Sequence, residues 1–311
     1  NYTKGTTIKT EGTHHFILQD KAGNSTSYYC TINKKSVEYE LTGVENNGSC
    51  NTVVTLKILD NYRNTSYVYN QNQSISEDKY FMFTEEGKYE ITLTSIAGNL
   101  TVISFEIDLT APEGTLTTTQ EEGFQENNLT NGNVTFTWSE TNCKATLNNE
   151  NYLKGTIIKA EGNYELKLFD AVGNFTTYNF IIDKTLPKFT INGSLNSKNR
   201  TNNSLSFTWD NEYYRATLNG EEYISGQEII LEGNYQFILT SKALNTNILN
   251  FEIDKTAPTG EIKNINDEII TAFKVVSTNI YFTWTESGCK ATLDGKDYTK
   301  DTIVKSEGSH Y

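Results

Sequence analysis

Three aspartates lie at equivalent places along the sequence, and the carboxylate is the side chain best suited to hold a hard metal ion. Asp108, Asp183 and Asp254 each lie four residues before a proline. A hard cation such as Ca²⁺ prefers oxygen ligands and takes about six to eight of them. One interpretation is therefore a calcium site at each position. The other is that each Asp accepts a hydrogen bond from the backbone turn that leads to the proline.

Four cysteines offer a second kind of chemistry. Cys143 and Cys289 occupy equivalent places in the sequence, but Tyr214 holds that place between them, which excludes a disulfide repeated along the chain. Cys30 stands where equivalent positions carry Phe, which indicates a buried free thiol. The alternative is a Cys30–Cys50 disulfide, because spacing alone does not choose among the connectivities that four cysteines allow.

Histidine is the remaining residue type that binds metals or moves protons, and it occurs as His14, His15 and His310. No further ligand types stand at a fixed spacing from these residues. His14 falls where equivalent positions carry Tyr, so we expect it to cap a strand. Neither a glycine-rich phosphate loop nor a nucleophile motif is present. The sequence therefore predicts a protein with no catalytic residues and no bound cofactor, apart from the calcium alternative.

A repeated pattern must position all of these residues. A Glu-Gly pair recurs at 11–12, 86–87, 161–162, 232–233 and 307–308, in steps of 75, 75, 71 and 75 residues. An alternating run follows the first four pairs, as in Tyr164, Leu166 and Leu168. Apolar residues at a period of two predict a strand with one buried face. The chain is therefore a tandem array of segments of about 75 residues.

Further strands are predicted within each segment. Alternating triplets end in Trp138, Trp209 and Trp284, which we expect to be structural residues of the core. Asn219-Gly220 and Asp294-Gly295 lie between alternating runs and predict tight hairpins. Each segment offers roughly seven short strands separated by turn signals, which predicts an all-β fold of immunoglobulin-like antiparallel β-sandwiches.

One turn departs from the repeat. Three segments place Gly before Asn at the end of the turn that follows the Glu-Gly strand, where Gly takes a positive φ. Leu244 replaces this Gly in the fourth segment. Either the turn differs there, or Asn245 carries the strained angle.

The prolines mark the predicted domain boundaries. Pro112, Pro187 and Pro258 are the three prolines of the chain. Proline fixes its own φ and restricts the preceding residue to extended geometry, so we expect stiff linkers and domains joined end to end as a semi-rigid rod. The predicted domains are the C-terminal half of a repeat (1–35), a divergent repeat (36–112), two regular repeats (113–187 and 188–258) and the N-terminal part of another (259–311).

Composition narrows the choice of partners. The formal net charge is −13, which argues against nucleic acid because such binding depends on cationic side chains. No apolar run approaches the length that a bilayer requires, so we expect no membrane span in this part of the protein. Residue 1 aligns with Asn151, in the middle of a repeat, and we expect the chain to be part of a longer polypeptide.

The ending of each repeat carries a resemblance to a known family. The stretch from Asp183 to Pro187, preceded by Glu161, Gly162, an aromatic residue and the Gly173-Asn174 turn, resembles the immunoglobulin-like repeats in large surface proteins and adhesins of bacteria, especially AT-rich Gram-positive lineages. The resemblance covers the whole chain, and the second segment fits it least. It implies extracellular modules at the cell surface that act as stalks or ligand-binding tips, and it supplies no catalytic residues.

Three hypotheses of function follow from the repeats and the resemblance. The first is a non-enzymatic region of a large secreted cell-surface protein, acting as an extended stalk or adhesin segment toward a host or cell-surface ligand. The alternative is a structural subunit of an extracellular filament or surface layer, whose partners are identical chains. The third is a phage or secretion-machine fibre.

Overall fold

A computed structural model describes residues 2–60, 62–69, 72–76, 79–271 and 273–311, and for 65–69 and 72–76 it describes the backbone alone. The chain divides into two compact units, Asn1–Lys184 and Thr185–Tyr311. Both are built from β-strands. The described helical structure is a single 3₁₀ turn, Glu126–Asn128, in the first unit.

The first unit contains a leading hairpin and two complete sandwiches, I and II. The hairpin strands are β1 (Gly12–Gln19) and β2 (Ser25–Ile32). The strands of sandwich I are β3 (Glu38–Thr42), β4 (Gly48–Cys50), β5 (Val54–Asp60), β6 (Asn64–Tyr69), β7 (Asn72–Ser76), β8 (Tyr80–Phe83), β9 (Gly87–Thr94) and β10 (Leu100–Ile107). The strands of sandwich II are β11 (Gly114–Thr118), β12 (Leu129–Thr130), β13 (Val134–Trp138), β14 (Lys144–Leu147), β15 (Glu150–Tyr152), β16 (Ile157–Ile158), β17 (Gly162–Phe169) and β18 (Phe175–Ile182).

The second unit contains sandwich III and a set of trailing strands. The strands of sandwich III are β19 (Thr190–Asn192), β20 (Arg200–Thr201), β21 (Ser206–Thr208), β22 (Arg215–Leu218), β23 (Glu221–Tyr223), β24 (Gly233–Thr240) and β25 (Thr246–Ile253). The trailing strands are β26 (Gly260–Asn264), β27 (Ile269–Ile270), β28 (Ile280–Trp284), β29 (Ala291–Leu293) and β30 (Lys296–Tyr298).

The three sandwiches share one strand order. In sandwich II, one sheet runs β11-β13-β16 and the other runs β12-β18-β17-β14-β15. Sandwich I has the same order, β3-β5-β8 and β4-β10-β9-β6-β7, and the five-stranded sheet of sandwich III runs β20-β25-β24-β22-β23. In sandwich III the second sheet is β19-β21, extended by a bridge between Leu205 and Ile229. Lettered by chain position, these sheets are A-B-E and A′-G-F-C-C′.

A tyrosine at the start of strand F supports the same assignment. The hydroxyl groups of Tyr89, Tyr164 and Tyr235 donate to carbonyl oxygens four residues earlier, at 2.8, 2.8 and 2.9 Å. This bond at the corner between strands E and F is a hallmark of immunoglobulin-like sandwiches. Together with the strand order, it identifies sandwiches I to III as immunoglobulin-like, which confirms the predicted fold class. In the leading hairpin His14 takes the place of the tyrosine, with Nε2 2.8 Å from the Thr10 carbonyl oxygen.

Each sandwich has its own buried core, formed by the alternating residues. In sandwich II the core includes Phe136, Leu166, Leu168 and Phe180, which are all at most 1% exposed. Alternate side chains of a strand point to opposite faces, so a period of two places these residues between the sheets. Separate clusters fill sandwich I, between Val37 and Ile107, and sandwich III, between Leu205 and Ile253. The boundaries at 36, 113, 188 and 259 stay predictions, and each cluster lies between two of them.

The predicted structural tryptophans and prolines differ in how deeply they are buried. Trp138 and Trp209 are half-buried against the cores of sandwiches II and III, and Trp284 is half-buried among the trailing strands. Pro112 and Pro187 are buried, whereas Pro258 is exposed.

Two details of the prediction were wrong. Strand A′ pairs with strand G in parallel, as in β12 with β18, so the sandwiches are not wholly antiparallel and have one more short strand than expected. In the fourth segment the turn keeps its form and Leu244 takes the positive φ, +65°, instead of Asn245. A non-glycine residue pays for that angle in steric strain.

Candidate functional site at the domain junctions

The Glu of each of the first four Glu-Gly pairs binds the chain just after the last strand of its segment. In sandwich I the Leu109 N–H donates to Glu86 Oε2 at 3.2 Å, and the Thr110 hydroxyl donates to the same oxygen at 2.7 Å. Glu86 lies just before β9 and Leu109 just after β10. Because these two strands are antiparallel neighbours, the start of one meets the end of the other. The carboxylate therefore clamps the exit of the last strand.

The same clamp recurs at the other junctions. Backbone N–H groups of Lys34, Lys184 and Lys255 donate to the carboxylates of Glu11, Glu161 and Glu232, respectively. Each of these lysines also sends its ammonium group to a main-chain carbonyl 25 residues earlier, at 2.6–2.7 Å. Leu109 holds this lysine position after sandwich I, so the carboxylate contact is common to all four junctions and the ammonium contact to three.

The linker from Asp108 to Pro112 shows how completely such a junction is bonded. Asp108 N–H donates to the Cys50 carbonyl at 2.9 Å, and the Thr110 N–H donates to Asp108 Oδ1 at 3.1 Å. The Pro112 carbonyl accepts from the Thr176 hydroxyl at 2.7 Å. Together with the two bonds to Glu86, these contacts involve the main chain of each residue except Ala111. These bonds make the linker part of the folded structure of the first unit.

The predicted junction aspartates act within the backbone turn. Asp108 Oδ1 and Asp254 Oδ1 each accept the N–H two residues later, from Thr110 and Thr256, at 3.1 Å. Among the residues that the structure describes, no group of three or more His, Cys, Asp or Glu side chains could hold a metal ion. Asp183 N–H donates to the Thr130 carbonyl. The side chains of Asp108 and Asp254 thus have the geometry of the second interpretation, and calcium binding at the three aspartates stays a prediction.

Cys30 is a free thiol, as one interpretation expected, but it is not buried and not paired with Cys50. Cys30 is exposed on β2 and Cys50 is buried in sandwich I, and neither is in a disulfide. Cys30 was expected to be buried because equivalent positions carry core Phe. The leading hairpin, however, is a two-stranded sheet with no facing sheet among the described strands. Its inward-facing side chains are therefore open, and Leu18 is 69% exposed.

Two shallow clefts occur at equivalent places in sandwiches II and III, with volumes of about 380 and 420 Å³. The cleft of sandwich III lies where strands A′ and F begin and strands C and G end. Its polar groups bind one another: Gln236 N–H donates to Asn219 Oδ1 at 2.8 Å, and Arg200 pairs with Glu252 at 2.7 Å. The polar groups of the cleft are therefore engaged in holding strand ends together. The recurring contacts of Glu11, Glu86, Glu161 and Glu232 are the better candidate for a functional site.

Sequence reasoning noticed the glutamates and missed their role. The fixed period of Glu-Gly was the available signal, but the partner of Glu86 lies 23 residues away, on the far side of a hairpin. The asparagine of the turn between strands F and G was assigned to that turn alone. Asn174 in fact also reaches the Asp108 carbonyl, 66 residues earlier, at 2.8 Å.

Comparisons with known proteins find similarity among solved structures. No protein-family model matches it, and no curated protein matches it significantly. Among solved structures, similar chains include the Bacteroides ovatus SGBP-B protein of a mixed-linkage glucan utilization locus, in complex with a heptasaccharide (15% identity, 79% of this chain, 71% of that chain, TM-score 0.18). A second is a Ca²⁺-stabilized adhesin that helps an Antarctic bacterium bind ice (15% identity, 81% of this chain, 82% of that chain, TM-score 0.18). A third is Sidekick-1 immunoglobulin domains 1–5 (8% identity, 82% of this chain, 77% of that chain, TM-score 0.21). TM-scores this low carry no argument, so the fold assignment rests on strand order and register.

In the part of the chain that the structure describes, no helix is long and apolar enough to span a membrane.

Proposed function

We propose that this chain is a non-enzymatic tandem-repeat region of a large secreted cell-surface protein, and that it acts as an extended stalk or adhesin segment. The observation that supports this proposal most directly is the bonding of the linker from Asp108 to Pro112. A stalk keeps its ends apart only if its links resist bending. Flexible linkers behave as random coils, whereas a linker with satisfied backbone groups stays in one conformation.

Charge and chemistry fit the same role. The net charge of −13 keeps a long molecule solvated and disfavours self-association. The repeated polar side chains, Glu86 and its equivalents, bind the protein's own backbone, which is a structural task. A segment of this kind presents a terminal domain or its own surface to a host or cell-surface ligand.

Small-angle scattering of the 311-residue chain tests the extended form. A single globule of this length has a radius of gyration of about 20 Å, and a stalk segment gives a clearly larger value. A measured value near that of a globule would reject the proposal.

Labelling and imaging of the native source test the location. Antibodies against residues 113–184 should label intact cells, and the intact molecule should appear as a thin projection. Labelling that requires cell lysis would reject a surface role. Regular contacts between copies that bury well over about 1,000 Å² would replace the stalk with the filament alternative.

A further inference from the structure

The asparagine that ends the turn between strands F and G makes two different contacts with one amide group. In sandwich II, Asn174 Nδ2 donates to Asp170 Oδ2 within its own turn, at 2.8 Å. It also donates to the Asp108 carbonyl in the preceding linker, at 2.8 Å. A side-chain amide has two N–H donors. Asn174 therefore uses one donor inside its own sandwich and the other on the exit of sandwich I.

Sandwich I makes the corresponding contact with a different turn sequence. Asn99 Nδ2 donates to the carbonyl oxygens of Asn33 and Lys35, at 3.0 and 3.1 Å, in the linker that follows the leading hairpin. Within its own turn Asn99 uses its backbone N–H, which donates to the Ser95 hydroxyl at 2.9 Å. The contact with the preceding linker is thus the feature that Asn99 and Asn174 share.

We propose that Asn99 and Asn174 are coupling residues, through which sandwiches I and II each stabilise the segment that precedes them in the chain. Asn174 donates to the Asp108 carbonyl. The Asp108 N–H in turn donates to the Cys50 carbonyl at the edge of sandwich I. The next two residues are bound by Glu86. If the linker leaves this path, the contacts of Glu86, Cys50 and Asn174 are lost together. The folding of sandwich II therefore protects the last strand of sandwich I from fraying.

The coupling also bears on glycosylation. Asn99 and Asn174 both begin Asn-x-Thr triplets, whose acceptor is the side-chain amide nitrogen. The same nitrogen makes the linker contact. A glycosylated amide keeps only one of its two N–H groups, so a glycan at Asn174 would remove either the contact with Asp170 or the contact with the Asp108 carbonyl.

The leading hairpin supplies a matched control. Asn24 Nδ2 donates to Asp20 Oδ2 at 2.8 Å, and Asn24 N–H donates to Asp20 Oδ1 at 2.9 Å. Asn174 makes the same two contacts with Asp170, at 2.8 and 2.9 Å. Asn24 has no contact with a preceding linker among the described residues. Asn24→Ala therefore removes the contact within the turn alone, whereas Asn174→Ala removes that contact and the coupling.

Amide hydrogen exchange on the full 311-residue chain tests the proposal independently of where the protein resides. Asn174→Ala should speed exchange of the Leu109 and Thr110 amides by about three- to tenfold, the effect of one lost hydrogen bond. It should also speed exchange in β10, although the substitution lies in another sandwich. Asn24→Ala should leave those amides unchanged.

A second variant covers the case in which Asn174→Ala unfolds sandwich II. Asn99→Ala should speed exchange of the Lys34 and Lys35 amides in the same way. The proposal is overturned if Asn174→Ala affects residues 170–175 alone, or if Asn24→Ala loosens β10 equally. Unchanged exchange of Lys34 and Lys35 in Asn99→Ala would also overturn it.

Discussion

Substitution of Glu86 by Ala isolates the clamp at the exit of sandwich I. The change removes the acceptor for the Leu109 N–H and the Thr110 hydroxyl, at 3.2 and 2.7 Å. A hydrogen bond to a charged group contributes roughly 1.5–3 kcal/mol when it is protected from solvent. Glu86 is exposed, so water competes for both donors, and we expect a loss of about 1–2 kcal/mol for the pair.

Calorimetry of the full chain measures this loss. For a domain of this size, each kcal/mol lowers the unfolding midpoint by about 4–8 °C, so the transition of sandwich I should move down while the others stay. Glu90→Ala is the matched control, because it removes the same charge from an exposed position on β9. Glu86→Gln keeps one acceptor oxygen and should lose less than Glu86→Ala.

Two results would refute the reasoning about the clamp. The first is an equal shift in Glu86→Ala and Glu90→Ala, which would assign the effect to net charge. The second is faster amide exchange within β9 with unchanged exchange at Leu109 and Thr110, which would place the effect in the strand instead of the linker.

Three further predictions concern single positions. Hydrogen bonds from the Lys255 N–H and the Thr256 hydroxyl hold the pKa of Glu232 below its usual value. The ionised Glu232 therefore contributes its full stabilisation above about pH 4.5, and this contribution is lost as pH falls through the lower pKa of the folded state. The urea midpoint should fall over the same pH range, and Glu232→Gln should abolish that fall. A Cβ at Gly114 would lie 2.1 Å from Cζ of buried Phe136, so Gly114→Ala should lower the unfolding free energy of sandwich II by roughly 1–3 kcal/mol; an effect as small as that of a substitution at its exposed neighbour would contradict this. Tyr152→Phe leaves the buried Phe136 N–H, now 3.0 Å from the Tyr152 hydroxyl, without a partner and should cost about 1–3 kcal/mol in urea unfolding; unchanged stability would show that another acceptor replaces the hydroxyl.

Local patterns predicted the strands and turns of this protein well. Leu166 and Leu168 were expected on the inward face of a strand, and both are fully buried. Asn219 and Gly220 were expected in a tight hairpin, and both have positive φ, +52° and +86°. These features are decided within a few residues, by side-chain alternation and by the backbone angles that a turn demands.

Those local patterns could not predict contacts between residues that are far apart in the sequence. Strand A′ is two residues long in sandwiches II and III and carries no periodic signal, so its parallel pairing with strand G was missed. Asn24 and Asn174 occupy equivalent positions in the repeat, so the sequence did not show that Asn174 also binds the preceding linker.

The sequence by itself determined the period, the alternating strands and the hairpins, because each depends on residue type and short spacing. The tertiary structure alone decided what the repeated Glu and Asn bind. Their partners are backbone groups, which every residue possesses and which leave no trace in the order of side chains. Only the folded strands bring Glu86 to Leu109 and Asn174 to Asp108, and the stiffness that we propose for the junctions depends on those two contacts.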